Sequence, residues 1–267
     1  MRIAEEWRAL GDRHIIWNLQ RFMLSLRGAS KQREWLTYLG AEHALATESE
    51  PLPVGREAVQ LFFQYLEVRK RLLTEALGLL RTENESIAFC MSRGIKFGVT
   101  ATQNQDHYQS SKSLVAAVTE IAIDVCKARR VQIDPNPQQR AVWCNRNGLH
   151  VSARNLDGAI PATVNPVIVW EIKEYWGKTG GGSKMSDAVY ECALVGRELR
   201  DFERESGTSV VHCVFVDGKE QWLTRKADLG RFIDLAHQGL VDHLVIGKEV
   251  EEDWELILNE VLSGGGE

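Results

Sequence analysis

The sequence predicts an α/β fold: an N-terminal helical region, then a core ordered helix, three strands, helix, strand, with a central mixed sheet flanked by helices. Three observations lead there. Apolar residues recur at helical spacing through the first eighty positions. Between about 140 and 173 the pattern shortens to β-branched runs around an Asn-Gly pair. From 185 onward helical and extended patterns alternate, the mark of strands joined by helical crossovers. With 267 residues and 44% apolar composition, the chain can bury the core of one large domain or two smaller ones.

Taken in order, Trp7, Leu10, His14, Trp17 and Phe22 fall near helical spacing, and Ala58 to Leu80 is a long apolar-periodic helix. Leu52-Pro53-Val54-Gly55 breaks the chain between them. Glu83 to Ser111 has no clear period and reads as short elements and loop. Ser111 to Arg130 is a helix with Leu114, Val118, Ile121 and Val125 on one face, stopped by Asp134-Pro135-Asn136-Pro137. Arg140 to Arg146 and Leu149 to Asn155 form a hairpin, because Asn147-Gly148 supplies the left-handed conformations a tight turn demands. Val167 to Lys173 is a third strand, Met185 to Glu205 a helix, and Val210 to Val216 a fourth strand. A helix near Leu229 to His237, a strand at His243 to Ile246 and a helix from about Glu251 to Leu262 complete the chain. The expected division is a helical region over 1–110, for dimerisation or DNA recognition, and a core with a C-terminal extension over 111–267.

Composition removes several classes. The five cysteines, Cys90, Cys126, Cys144, Cys192 and Cys213, are far apart and odd in number, which fits neither a disulfide framework nor a zinc site. A net charge of −5 argues against a protein that coats DNA with basic surface, so any nucleic-acid contact is concentrated in one place. No apolar run is long enough to cross a bilayer, and the first residues mix charge with apolar side chains instead of forming a secretion signal. The expectation is a cytoplasmic protein without a membrane partner.

The chemistry concentrates on Val167-Ile168-Val169-Trp170-Glu171-Ile172-Lys173. Side chains alternate along a strand, so Glu171 and Lys173 share one face and Trp170 and Ile172 the other. The apolar run marks a central, buried strand, where charges are costly unless they pair or bind a cation. Asp157 ends the preceding strand and can reach the same place. Two carboxylates with further oxygen donors suit a hard ion such as Mg2+. In phosphodiester hydrolysis such an ion polarises the phosphoryl oxygen, and a lysine beside it stabilises developing negative charge. Taken by itself, the alternative is a plain ion pair between Glu171 and Lys173.

On Asp157 in Asn155-Leu156-Asp157-Gly158, Glu171-Ile172-Lys173 and the thirteen residues between aspartate and glutamate, the chain resembles the PD-(D/E)xK nuclease superfamily. That superfamily includes type II restriction endonucleases, junction resolvases and RecB-type nucleases. The resemblance spans about Ser111 to Val216 and does not extend to the N-terminal helices; Leu156 stands where many members have proline. It implies a restriction-endonuclease-like core with Asp157, Glu171 and Lys173 as catalytic residues. It further implies a metal held by Asp157, Glu171 and the backbone carbonyl of Ile172, with Mg2+ as cofactor and Mn2+ as a substitute. Glu120, on the preceding helix, sits where related nucleases sometimes supply an extra carboxylate, although it shares a polar stripe with Asp124 and Lys127.

Around this core, Gly177-Lys178-Thr179-Gly180-Gly181-Gly182-Ser183-Lys184 does not match the spacing of a nucleotide phosphate loop. It reads as a basic loop whose Lys178, Ser183 and Lys184 hold DNA phosphate, or as a solvated turn. Ser186, Tyr190 and Arg197 form a strip on the next helix, with Tyr190 a DNA contact or a packing residue; RecB-type relatives carry glutamine where Ser186 stands. His150, His212 and His243 lie in strands and read as structural. The expected function is an endonuclease cutting double-stranded DNA, of the type II restriction kind, as a homodimer because duplex cleavage needs two centres. The alternatives are a phage-defence or repair nuclease and a non-catalytic DNA-binding module of the same fold.

Overall fold

A computed structural model describes residues 4–46, 50–100, 109–146, 148–177 and 182–264. The chain opens with α1 (Glu5–Arg8), α2 (Ile15–Ser25) and α3 (Ala29–Glu42). A two-residue antiparallel ribbon of β1 (Ala44–Leu45) and β2 (Leu52–Pro53) leads to the long α4 (Arg56–Leu79). Trp7, Trp17, Trp35, Leu39, Phe62 and Tyr65 hide one another in a cluster of their own, large rings filling what short helices leave open. The second half of α4 leaves that cluster, and its Leu72 and Ala76 pack against strand and helix residues of the main core.

The stretch read as short elements contains a ten-residue helix, α5 (Glu83–Ser92). This gives the expected short element its type and bounds. The helix carries almost no apolar periodicity, and its start is set instead by a capping box: Thr82 accepts from the Glu85 N–H, and Glu85 reaches back to the Thr82 N–H. Then come α6 (Ser113–Arg129), the hairpin of β3 (Gln139–Asn145) and β4 (Gly148–Leu156), the short β5 (Gly158–Ile160) and β6 (Ile168–Glu174). The hairpin turn falls where it is expected, with Asn145 opposite Gly148; Asn147 lies outside the described residues. The long α7 (Gly182–Ser206), β7 (Val211–Asp217), α8 (Lys219–Thr224), α9 (Lys226–His237), β8 (His243–Ile246), α10 (Glu249–Glu252) and α11 (Trp254–Gly264) complete the chain.

The central sheet is mixed, ordered β5-β6-β7-β8, with β5 antiparallel to β6 and the other pairs parallel. The hairpin is a separate two-stranded sheet, since a bend at Asp157 divides β4 from β5. The strands β6 and β7 are nearly continuous buried runs, as parallel strands covered on both faces must be. On one face Ile168, Trp170, Cys213 and Phe215 pack with α6 and α11. On the other, Val214 and Val216 pack with α4, α7 and α9, while Val169 packs with Val195 and Leu199 of α7. No helix among the described residues is long and apolar enough to cross a membrane.

Candidate active site

The alternation of β6 carries through into space. Glu171 and Lys173 point toward α7, away from Trp170, and are 2% and 8% exposed. Lys173 Nζ donates to Glu171 Oε2 at 2.8 Å and to Glu191 Oε2 of α7 at 3.1 Å. Glu191 in turn accepts from Arg154 Nη2 of β4 through its other oxygen, at 2.8 Å. Four alternating charges thus run from the sheet to the surface, and burial decreases outward: the side chain of Glu191 is 26% and that of Arg154 42% exposed.

Asp157 joins this row through the break in its strand. Its backbone N–H donates to the Trp170 carbonyl at 3.1 Å, and its Oδ2 accepts from the Ile172 N–H at 2.8 Å. A carboxylate has taken the place of a backbone acceptor, which is why β4 and β5 part there. Oδ1 accepts from the Gln138 side chain at 3.3 Å. Burial raises the Asp157 carboxyl above its usual range, opposed by the Ile172 N–H and by the Lys173 ammonium, with Glu171 adding to the rise. Asp157 therefore feels both members of the Glu171–Lys173 pair. Burial also works against an ionised Glu171, but the ammonium of Lys173 and the neighbouring His212 outweigh it and hold Glu171 at about 2. Lys173 loses solvation as well, yet the carboxylates of Glu171 and Glu191 beside it keep its ammonium above the ordinary lysine range.

Sequence reasoning missed three participants. Glu191 and Arg154 stand on α7 and β4, and their meeting depends on how the helix lies across the hairpin. The one sign along the chain is that Glu191 borders the apolar face of α7 beside Cys192, with Glu198 seven residues on accepting from the Ala153 N–H of the same strand at 3.0 Å. His212 is fully buried, with Nδ1 at 2.9 Å from the Leu240 carbonyl and Nε2 3.6 Å from Glu171 Oε1. Neither Nε2 nor that oxygen has a hydrogen-bond partner at ordinary distance; His212 is a buried strand residue tied to the backbone, and its ring edge also faces Glu171. Glu174, next along β6, turns to the opposite side, where it accepts from the Leu114 N–H at the start of α6 and from Trp176 Nε1, each at 2.7 Å. Burial pushes its carboxyl up to about 7.

Other expected residues are not brought together with the site. Glu120 is exposed on α6, and α6 covers the Trp170 face of the sheet; this corrects its assignment as an extra carboxylate, because the apolar stripe of α6 turns Glu120 outward. Ser183 and Lys184 are exposed in the first turn of α7, while Lys178 lies outside the described residues. Tyr190 is 63% exposed with the Arg231 guanidinium 4.3 Å over its ring, and Ser186 accepts from Arg225 at 2.6 Å. The Ser186–Tyr190 strip thus faces α8 and α9, while Glu191 faces the charged row.

No three His, Cys, Asp or Glu side chains among the described residues gather closely enough to cage a metal ion. Two carboxylates, Asp157 and Glu171, with the backbone of Ile172 next to both and solvent on the Asp157 side, remain a donor set of the kind Mg2+ uses, because that ion retains several waters. Glu171 Oε1 lacks a hydrogen-bond partner but faces His212 inside the fold, so this carboxylate meets an ion only by turning or by giving up the bond of Oε2 to Lys173. Zinc, with its preference for closed nitrogen and sulfur shells, is poorly served here.

A family described as Domain of unknown function (DUF7687) matches residues 57–261. No curated protein matches the chain. No solved structure matches it either.

Proposed function

The chain belongs to the family described as Domain of unknown function (DUF7687), and we propose that it is a divalent-metal-dependent nuclease acting on double-stranded DNA. The observation that carries this reading is the hydrogen bond from the Ile172 N–H to Asp157, at the bend between β4 and β5, beside the Glu171–Lys173 pair of β6. The order of elements adds support: α6, then the strands β3 to β6, then α7 and β7 keep the helix, strands, helix, strand order that the resemblance implies. Asp157, Glu171 and the Ile172 carbonyl would hold Mg2+, with Mn2+ as a substitute. Such an ion supplies electrophilic assistance to hydrolysis of a phosphodiester.

The protein's own residues do the rest. Lys173, kept charged by its carboxylate neighbours, stabilises negative charge growing on the phosphate in a site of low dielectric. Arg154, the most exposed member of the row, and Lys184 at the start of α7 meet the flanking phosphates. A restriction-type homodimer follows from the need for two cuts in a duplex.

The test is incubation of plasmid DNA with the full chain in Mg2+, in Mn2+ and in EDTA. Metal-dependent cutting abolished by Asp157→Asn is expected, and binding without cutting in either metal would overturn the reading. One observation favours a second reading: Lys173 is already bonded to two carboxylates, as in a buried structural ion pair on a non-catalytic DNA-binding module. That alternative predicts DNA affinity indifferent to metal.

A further inference from the structure

The charged row poses a difficulty for any cation that approaches Glu171. One of its oxygens, Oε2, is taken by Lys173 at 2.8 Å, and the other, Oε1, points inward at His212. A divalent ion must therefore compete with the ammonium for Oε2 or draw the carboxylate away from it. Either move strands a buried ammonium unless another carboxylate receives it, and an uncompensated buried charge is strongly destabilising. Glu191 is already in position, with Oε2 at 3.1 Å from Lys173 Nζ. Its second oxygen is held by Arg154 at 2.8 Å, which aims the first one inward. Glu191 also comes from α7, not from the sheet, so it can keep the lysine without following Glu171.

We propose that Glu191 is a positioning residue that takes over Lys173 when Glu171 turns to a divalent cation, so that metal loading is an exchange of the lysine between two carboxylates. The proposal rests on the metal-dependent reading above and deepens it. Without Glu191, Lys173 has Glu171 alone, and the cation must displace it. With neither Lys173 nor Glu191, nothing competes.

The experiment is Mn2+ binding to the full chain, followed by the loss of the free-ion electron paramagnetic resonance signal. Glu191→Gln is expected to weaken binding by roughly tenfold or more, the effect of losing a supporting partner around a metal site. In a Lys173→Ala background the same substitution is expected to leave the affinity unchanged. A purely structural Glu191 would lower the melting temperature and leave the affinity of the folded fraction alone. Arg154→Met, on the exposed end of the row, is a second probe that does not touch the core; it is expected to weaken Mn2+ binding by a smaller factor. Equal Mn2+ affinity in Glu191→Gln and the unsubstituted chain would overturn the proposal. So would an equal loss with and without Lys173, which would make Glu191 a direct ligand. Mn2+ binding lost on Asp157→Asn yet indifferent to Glu191 overturns this inference alone, whereas no Mn2+ binding by the unsubstituted chain overturns the metal reading with it.

Discussion

On one side of β6, Trp170 lies edge-on to Trp254 at 5.9 Å among Leu114, Val118, Ile121 and Phe215. One residue along the same strand, on the other side, Glu171 and Lys173 are buried almost as deeply against α7. Both faces are closed to water, but by different means. The Trp170 face is stabilised by apolar area removed from solvent. The Glu171 face carries two ions whose desolvation roughly cancels their attraction, so the fold gains little from it. The comparison teaches that burial alone does not mark core: a buried charged pair on a central strand asks for a second purpose, which the apolar face does not.

The largest expected effect lies on the apolar face. Trp170→Ala should cost roughly 3–5 kcal/mol in urea unfolding, the range for truncating a fully buried aromatic. Part of that cavity cannot close, because Trp170 also fills the space over Gly158, where a Cβ would come within 1.7 Å of its ring. A loss under about 1 kcal/mol would show that this face is not where the stability resides.

Lys173→Ala probes the other face. Metal-dependent cleavage should fall by on the order of 10²-fold, as when one donor to a transition state is lost, while DNA binding persists. The variant should melt lower in EDTA and recover in Mg2+, since a divalent ion can compensate Glu171 in place of the ammonium. A loss of roughly 3 kcal/mol that Mg2+ does not restore would instead describe a structural ion pair.

The two glutamates of β6 should part in their pH dependence. Glu174 is raised to about 7 by burial. A carboxyl raised in the folded state contributes stability below its unfolded value near 4.5 and loses it as pH climbs through 7, about 3 kcal/mol across that window. Glu171, lowered to about 2, acts in the opposite sense, adding stability above 4.5 that disappears as pH falls toward 2. Denaturation of Glu174→Gln from pH 4.5 to 8 should show a flatter stability profile than the unsubstituted chain, and an unchanged slope would remove Glu174 as its cause. The smallest effect is expected at Glu120: on the exposed side of α6, its replacement by alanine should shift stability by less than about 0.5 kcal/mol and leave cleavage intact. A tenfold fall in cleavage would return Glu120 to the site.

Much of this was legible along the chain. Period-two alternation separated Glu171 and Lys173 from Trp170, and the Asn-Gly pair marked the hairpin whose far strand ends at Asp157. Helix α5 could be read only as a short element of unspecified type, because its signal is a capping box and not an apolar stripe. Residues adjacent in sequence or on one strand could be assigned to a face, because a strand has a fixed repeat whatever surrounds it.

What the amino-acid sequence determined by itself is therefore local: which segments are helix or strand, which side chains share a strand face, and that two carboxylates and a lysine stand at spacings compatible with one site. Only the tertiary structure decided who their partners are. Glu191 reaches Lys173, and Arg154 reaches Glu191, because α7 lies across the hairpin at one rotation and one height. His212 meets Glu171 because β7 pairs with β6 in one parallel register, with Val169 opposite His212. Glu174 faces α6 and not the site because the next step of the pleat turns it away. These choices follow from the joint packing of elements far apart in sequence, where a shift of one residue in register or of about 100° about a helix axis exchanges every partner, and no periodicity within a single segment records such a shift.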